Sequence, residues 1–275
     1  MMPSLVPVHV ISLSRSGRRD AIAGLLGDHD APFRFEDAVD GRCLTQIELD
    51  AAYDDVAARR RYGRSLTRAE VACFMSHRSV WRKIVETGRA AVILEDDAIL
   101  EPAFFDDVLR INESELSAIA DIVLLGQSKL RRSESSWTYF NEPLRRVTAI
   151  GGLRVGVPFK QWTSGSVGYW ISARAASQAL AYSEGPLGAL LDDWPWHRDE
   201  GGARVAELRP YAVWEDFERL PSSIEEERGA RIRSRASLHD VALWPMRLLR
   251  TAARWSVVAL QRSSSVSHAA SARHD

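Results

Sequence analysis

Short, densely apolar runs alternate along most of the chain with longer stretches whose apolar residues recur every third or fourth position, a pattern of strands alternating with helices. Residues 8–13 (VHVISL) are β-branched and apolar and predict a buried strand. A turn at 14–17 leads into a helix over 18–26 that carries Ile22, Leu25 and Leu26 inward. Phe33-Arg34-Phe35 predicts a second strand, ending in a turn at 37–41, and residues 46–64 read as a polar helix. Thr67, with Glu70 at the capping-box position, opens a helix running to about Glu86 that buries Val71, Phe74, Val80, Trp81, Ile84 and Val85. Thr87-Gly88 stops it, and residues 90–94 (AAVIL) predict a fully buried strand that ends abruptly in Glu95-Asp96-Asp97.

Further on, the spacing predicts a helix over 102–119, a strand over 121–126, loops and a hairpin over 127–165, a strand over 166–171 and a helix over 173–182. The alternation argues for an α/β sheet, mostly parallel in its first half. From Leu238 the pattern changes: Val241, Trp244, Leu248, Trp255 and Val258 fall on one helical face, and Arg247, Arg250 and Arg254 on a neighbouring stripe, with Pro245 a kink or a first turn. The expected division is a body over 1–235, an amphipathic helical tail over 236–262 and a disordered end over 263–275.

The 275 residues suffice for a sizeable core, and a net charge of -1 gives no electrostatic pull toward nucleic acid. Nine Trp tilt the reading weakly toward carbohydrate, since indole rings stack on sugars as well as filling cores. Cys43 and Cys73 lack metal-type spacing, which points to a reducing compartment. Residues 1–10 lack the features of a secretory signal, and no apolar run approaches the ~20 residues that span a bilayer. A cytoplasmic protein, soluble or peripheral on the inner face of the membrane, is expected.

The acidic turn carries the chemistry. Three adjacent carboxylates after a buried strand raise one another's pKa and destabilise the fold unless a cation neutralises them. In open α/β sheets ligands bind outside the carboxyl ends of the strands, where this turn falls. Extended backbone points Glu95 and Asp97 to one side and Asp96 to the other, so Glu95 and Asp97 are the candidate ligands for Mn²⁺ or Mg²⁺. A solvated acidic loop capping the next helix is the competing reading of the residues alone.

A longer pattern bears on that choice. LTRAEVACFMSH (66–77), followed by AVILEDD (91–97), resembles glycosyltransferase family 25, whose helix reads Leu-Thr-x-Gly-Glu-x-x-Cys-x-x-Ser-His and whose next strand ends Leu-Glu-Asp-Asp. Weaker similarities keep chain order: Val10-Ile11-Ser12-Leu13 with Arg18-Arg19, Asp37-Ala38-Val39-Asp40-Gly41, Gly168-Tyr169-Trp170-Ile171-Ser172, and Leu191-Asp192-Asp193-Trp194. Ala69 and Ser12 depart from the family's Gly and Asn. The resemblance implies a GT-A-like nucleotide-sugar-binding fold, a mixed, mostly parallel sheet flanked by helices, with a UDP-sugar donor and inversion at the anomeric carbon.

By that resemblance Asp192 is the expected catalytic base, with Asp193 in reserve; an N-cap for a short helix is the alternative use of the pair. Candidate donor contacts are Ser12, Arg18, Arg19, Asp40, Gly41, Ser76, His77 and Asp96. Trp194 and Trp196 could stack on an acceptor sugar or simply pack, and His197 is a third candidate metal ligand or a structural His. Lys129, Arg131 and Arg132 read as a solvated basic loop. The expected activity is transfer of a hexose, galactose first, to a lipopolysaccharide or related glycan or glycolipid acceptor. Another donor such as UDP-glucose, or a carbohydrate-binding protein with a degenerate donor site, are the alternatives. Residues 238–260 are read either as an interfacial helix meeting anionic lipid or as a helix docked on the protein itself.

Overall fold

The structure, a computed structural model, describes residues 5–161, 164–216 and 244–271. Its strands are β1 (Val8–Ser12), β2 (Phe33–Asp37), β3 (Ala91–Glu95), β4 (Ala98–Leu100), β5 (Ile122–Leu124), β6 (Leu144–Ile150), β7 (Leu153–Pro158), β8 (Gly168–Ile171), β9 (Val205–Arg209) and β10 (Val213–Glu215). Eight form one sheet in the order β2-β1-β3-β8-β5-β9-β7-β6, while β4 and β10 pair separately. β1 runs parallel to β2 and β3, and β5 parallel to β9; β8 is antiparallel to both β3 and β5. The α/β architecture is mixed, as expected. The antiparallel β8 at its centre interrupts the parallel run, because the chain returns to the sheet from a hairpin and not through a crossover helix.

The helices are α1 (Arg19–Gly27), α2 (Gln46–Ala52), α3 (Asp55–Tyr62), α4 (Arg68–Thr87), α5 (Pro102–Asp106), α6 (Glu113–Ile119), α7 (Ser135–Asn141), α8 (Ala173–Tyr182), α9 (Trp194–Asp199) and α10 (Trp244–Ser271). Strand periodicity divides the core between the two faces of the sheet. In β3, Val92 and Leu94 join the cluster containing Leu26 and Phe104, whereas Ala91 and Ile93 join the one containing Phe74, Trp81 and Trp194. The capping box at Thr67 and Glu70 forms as expected, and Gly88 ends α4 in the left-handed conformation at φ 66°.

Several elements differ from the sequence reading. The polar helix over 46–64 is two, because Tyr53 pairs with Leu187 and Asp54 caps a fresh start by accepting from the Ala57 amide. The stretch 102–119 breaks likewise: α5 yields to a 3-10 turn, and Asn112 caps α6. Val85 is 38% exposed, because it points about 100° round α4 from Ile84, which is buried. The region read as loops and a hairpin also holds α7, and β4, β9 and β10 were not expected.

The long helix α10 docks on the body. Arg250 and Arg254 pair with Glu142, Arg254 also donates to the Asn141 carbonyl, and Thr251 and Val258 are buried. It continues to Ser271, past the expected boundary at 262. Of the tail residues singled out above, Val241 lies outside the described residues.

Candidate active site

The carboxyl ends of β1 and β3 lie side by side, with Ile11 opposite Glu95 in the ladder. The acidic turn after β3 therefore faces the loop after β1. Asp96 points into that loop: Oδ2 accepts from Ser12 Oγ at 2.6 Å and Ser16 Oγ at 2.7 Å, and Oδ1 accepts from Arg18 Nη1 at 3.3 Å. Strand β3 ends at Glu95, so Asp96 and Asp97 lie in the turn beyond it, where the Arg18 guanidinium lies near both carboxylates. Asp96 organises the loop, with Ser12 as its first partner and Ser16 a second that no sequence signal marked.

Glu95 and Asp97 are held in an electrostatically costly state. Burial, then the charge of Asp97, pushes the Glu95 carboxyl up to about 8. Burial, then the charge of Glu215, pushes Asp97 up to about 7 against the opposing pull of Arg18. Arg18 Nη1 stands 3.6 Å from Asp97 Oδ2. Glu95 Oε1 and Asp97 Oδ1 are enclosed and have no hydrogen-bond partner. Two orphaned carboxylate oxygens at one turn are an oxygen donor set of the kind a hard divalent cation takes, so the residues present fit such an ion.

Glu215 is the member that the sequence did not reveal. It ends β10, opposite Ala98 in the short ladder, and the Asp216 amide donates to the Asp97 carbonyl at 3.0 Å. Its position depends on Gly126: a Cβ there would lie 2.1 Å from the Val213 carbonyl oxygen, so only glycine lets β10 approach the end of β5 this closely. The Lys129 amide holds Glu215 Oε2 at 2.9 Å. Arg132 pairs with Glu101, so the stretch read as a solvated loop is partly tied to the body.

Behind the carboxylates, His77 is fully buried on α4. Its Nδ1 lies 2.9 Å from the Tyr169 hydroxyl, which also accepts from Trp81 Nε1–H at 2.9 Å. The phenol oxygen thus ties the two side chains together, and the other imidazole nitrogen, Nε2, faces Glu95 Oε1 at 3.8 Å. Burial, then His197, holds the His77 pKa down at about 3, so the ring is neutral.

Other expected donor contacts are committed to the scaffold. Ser76 accepts from the Val39 amide at 2.9 Å and donates to the Ala72 carbonyl, pinning the Asp-Gly turn to α4. Gly41 packs so closely on α4 that a Cβ would meet the Arg68 carbonyl oxygen at 2.7 Å. Asp40 caps its own 3-10 turn and chelates the Arg42 guanidinium, which lowers its pKa to about 2. Arg19 donates to the Ser12 carbonyl at 2.7 Å and to Asp37 at 2.5 Å, and stacks on Phe35.

The two aspartates at 192 and 193 separate. Asp193 is buried: it caps α9 through the Trp196 amide and accepts from Arg61 Nε and, at 2.6 Å, from Tyr62 Oη. Burial raises its pKa, but Arg61 and Tyr62 outweigh that and hold it below the usual carboxylate range. Asp192 is partly exposed, and its charge reaches Glu95 and the Cys73 thiol, which places it in the field of the acidic turn. His197 has both nitrogens engaged, with Tyr182 Oη at 2.5 Å and the Leu191 carbonyl at 2.7 Å, so it is a structural His and offers no metal ligand. Trp194 is buried against Tyr169 and donates to the Ser164 carbonyl; Trp196 packs edge-on to Phe74 and Tyr182.

Comparison with known proteins identifies the family. The model of glycosyltransferase family 25 (LPS biosynthesis protein) matches residues 5–189. Among curated relatives, the inactive glycosyltransferase 25 family member 3 of Homo sapiens is 34% identical over 197 residues, covering 67% of this chain and 30% of its own length. Procollagen galactosyltransferase 1-B of Xenopus laevis is 31% identical over 196 residues, covering 67% of this chain and 29% of its own. Procollagen galactosyltransferase 2 of Homo sapiens is 26% identical over 191 residues, covering 67% and 28%. The chain thus spans less than a third of the length of these relatives.

Proposed function

Because this chain belongs to glycosyltransferase family 25, we propose that it is an inverting hexosyltransferase that moves galactose from a UDP-sugar to a hydroxyl of a lipopolysaccharide or related glycan. The observation that supports it most is the pair of orphaned oxygens on Glu95 and Asp97 at the carboxyl edge of the sheet. In this reading Asp97 and Glu95 hold Mn²⁺ or Mg²⁺, whose charge would stabilise the departing diphosphate. Asp96, fixed by Ser12, Ser16 and Arg18, shapes the donor loop; Arg18, 31% exposed, is the side chain best placed to meet a phosphate. Asp192 accepts the proton of the acceptor hydroxyl as its oxygen bonds to the anomeric carbon and the bond to UDP breaks.

Some relatives carry the name inactive, so a carbohydrate-binding protein with a degenerate donor site is the reading from another class. Intact Glu95, Asp97 and Asp192 support the enzyme. UDP release from a panel of UDP-sugars separates the readings. UDP-galactose is expected to be cleaved in Mn²⁺, with loss of turnover in chelator. Preferred cleavage of UDP-glucose would change the donor; no release from any sugar and no UDP binding would leave the binding protein.

We also propose peripheral attachment to the cytoplasmic face of the membrane, in keeping with the free thiols of Cys43 and Cys73. Among the described residues no helix is long and apolar enough to cross a bilayer. The supporting feature is not the Arg stripe, since Arg250 and Arg254 are turned to Glu142. It is the outer face of α10, where Met246 (66% exposed), Leu249 (71%), Val257 (39%) and Leu260 (69%) fall in one row. The chain is therefore expected to co-sediment with liposomes in a manner that survives high salt, and Leu249→Glu with Leu260→Glu should release it. Equal sedimentation of the double variant would refute this attachment.

A further inference from the structure

The donor-site reading leaves two neighbouring groups unused, the Cys73 thiol and the second nitrogen of His77, and both stand beside the enclosed Glu95 oxygen that it gives to the donor cation. Cys73 and His77 stand four positions apart on α4 and so share one helical face. One ligand atom from each of Cys73, His77 and Glu95 lies within 4.8 Å of the others. His77 is fully buried, yet its Nε2 has no hydrogen-bond partner; Glu95 Oε1, across from it, has none either. Their separation of 3.8 Å is too long for a hydrogen bond, so the two atoms face each other without satisfying each other. Bonds of about 2.0–2.2 Å from nitrogen and oxygen to a tetrahedral zinc ion would set such atoms roughly 3.3 Å apart. The gap thus exceeds a zinc-bridged one only slightly, and Glu95, with 30% of its side chain exposed, has room to close it.

We propose that Cys73, His77 and Glu95 form a binding site for a borderline-soft divalent ion, zinc above all, which meets the hard-cation site of Glu95 and Asp97 at the shared Glu95 carboxylate. The donor set decides the metal: a thiolate and an imidazole select zinc or cobalt over magnesium, and three protein ligands leave a fourth position for water or a ligand. As the metal bonds form, the thiol proton leaves to solvent and the imidazole binds through Nε2 with its one proton on Nδ1, where the Tyr169 oxygen accepts it; thiolate and carboxylate then balance the dication. Tyr169, held by Trp81, fixes the imidazole from behind, as outer partners of metal-bound histidines do. The site shares Glu95 with the donor cation but does not rest on the transferase reading, because it needs neither nucleotide nor acceptor.

Cobalt reports the ligand set directly. Co²⁺ titrated into the full chain without nucleotide is expected to give a thiolate-to-cobalt charge-transfer band in the near ultraviolet. Cys43→Ser, which removes the exposed thiol, should keep the band. Cys73→Ser should lose it and bind at least about tenfold more weakly. Cobalt binding without the band, a band that survives Cys73→Ser, or no binding at all would overturn the assignment. Since Cys73 packs against the core, Cys73→Ala provides a second variant, read by melting: zinc should raise the Tm of the parent chain and leave both Cys73 variants unmoved. A zinc-induced shift retained by either variant counts equally against it. Failure of UDP–Mn²⁺ binding in the same chain would sink the donor reading and leave this one standing.

Discussion

Asp97→Asn is expected to abolish Mn²⁺-dependent UDP binding, weakening it by about 100-fold or more, while making the metal-free chain more stable at neutral pH. Both effects follow from one geometry. Asp97 Oδ1 is enclosed without a partner, and the side chain stands beside Glu95 and Glu215 in a pocket that raises its pKa to about 7. A cation relieves that repulsion, and the amide removes a charged ligand, so the loss of binding is on the scale of a deleted electrostatic contact at a reacting centre. Without metal the sign reverses. An Asp with a pKa near 3.8 in the unfolded chain and about 7 when folded leaves the folded state holding an extra proton between those values. Stability of the parent chain in chelator therefore falls as pH rises from about 4 to about 7, and further toward 8 as Glu95 ionises, then levels off. Asp97→Asn should flatten the lower part of that fall, and Mn²⁺ should offset the loss in the parent chain above pH 7. Melting curves across pH with chelator or Mn²⁺, beside UDP titrations, read both limbs. A variant that binds UDP–Mn²⁺ like the parent would refute the role of Asp97.

The second large effect separates neighbouring aspartates. Asp193→Ala should cost about 3 kcal/mol of folding stability, because it strips a buried ion pair of one partner and removes a helix cap at once. Arg61 would lose its anion, Tyr62 its acceptor and α9 its capping oxygen. Asp192→Asn should cost less stability than Asp193→Ala, since Asp192 is half-buried where Asp193 is enclosed. If Asp192 is the base, turnover drops by about 100-fold or more with little change in UDP affinity. Urea midpoints and kcat with a cleaved UDP-sugar decide between them. An Asp193 variant of parental stability would contradict the buried network, and full turnover in Asp192→Asn would move the base elsewhere.

Much of the frame was legible because it depends on local chemistry. The Thr67–Glu70 box, the apolar strand before Glu95 and the helix ending at Gly88 are each set by neighbours a few residues away. Helix breaks at Tyr53 and Asp107 were not legible, since each answers to a partner distant in the chain or to a restart imposed by packing. The scaffold bonds of Ser76 and Arg19 and the close packing of Gly41 on α4 were not legible either, because their partners are distant in the chain or set by packing.

The sequence by itself determined the α/β alternation, the family resemblance and the placement of three carboxylates at a strand end, because short-range periodicity and contiguous motifs carry that information. Only the tertiary structure decided that Asp96 turns to Ser12 and Ser16, that Glu215 joins Asp97, that Asp193 belongs to Arg61, and that Arg250 and Arg254 of α10 pair with Glu142. Each of those is a pairing across a long loop, fixed by strand order and by close backbone contact such as Gly126 against Val213, and a charge does not reveal in one dimension which distant charge it will meet.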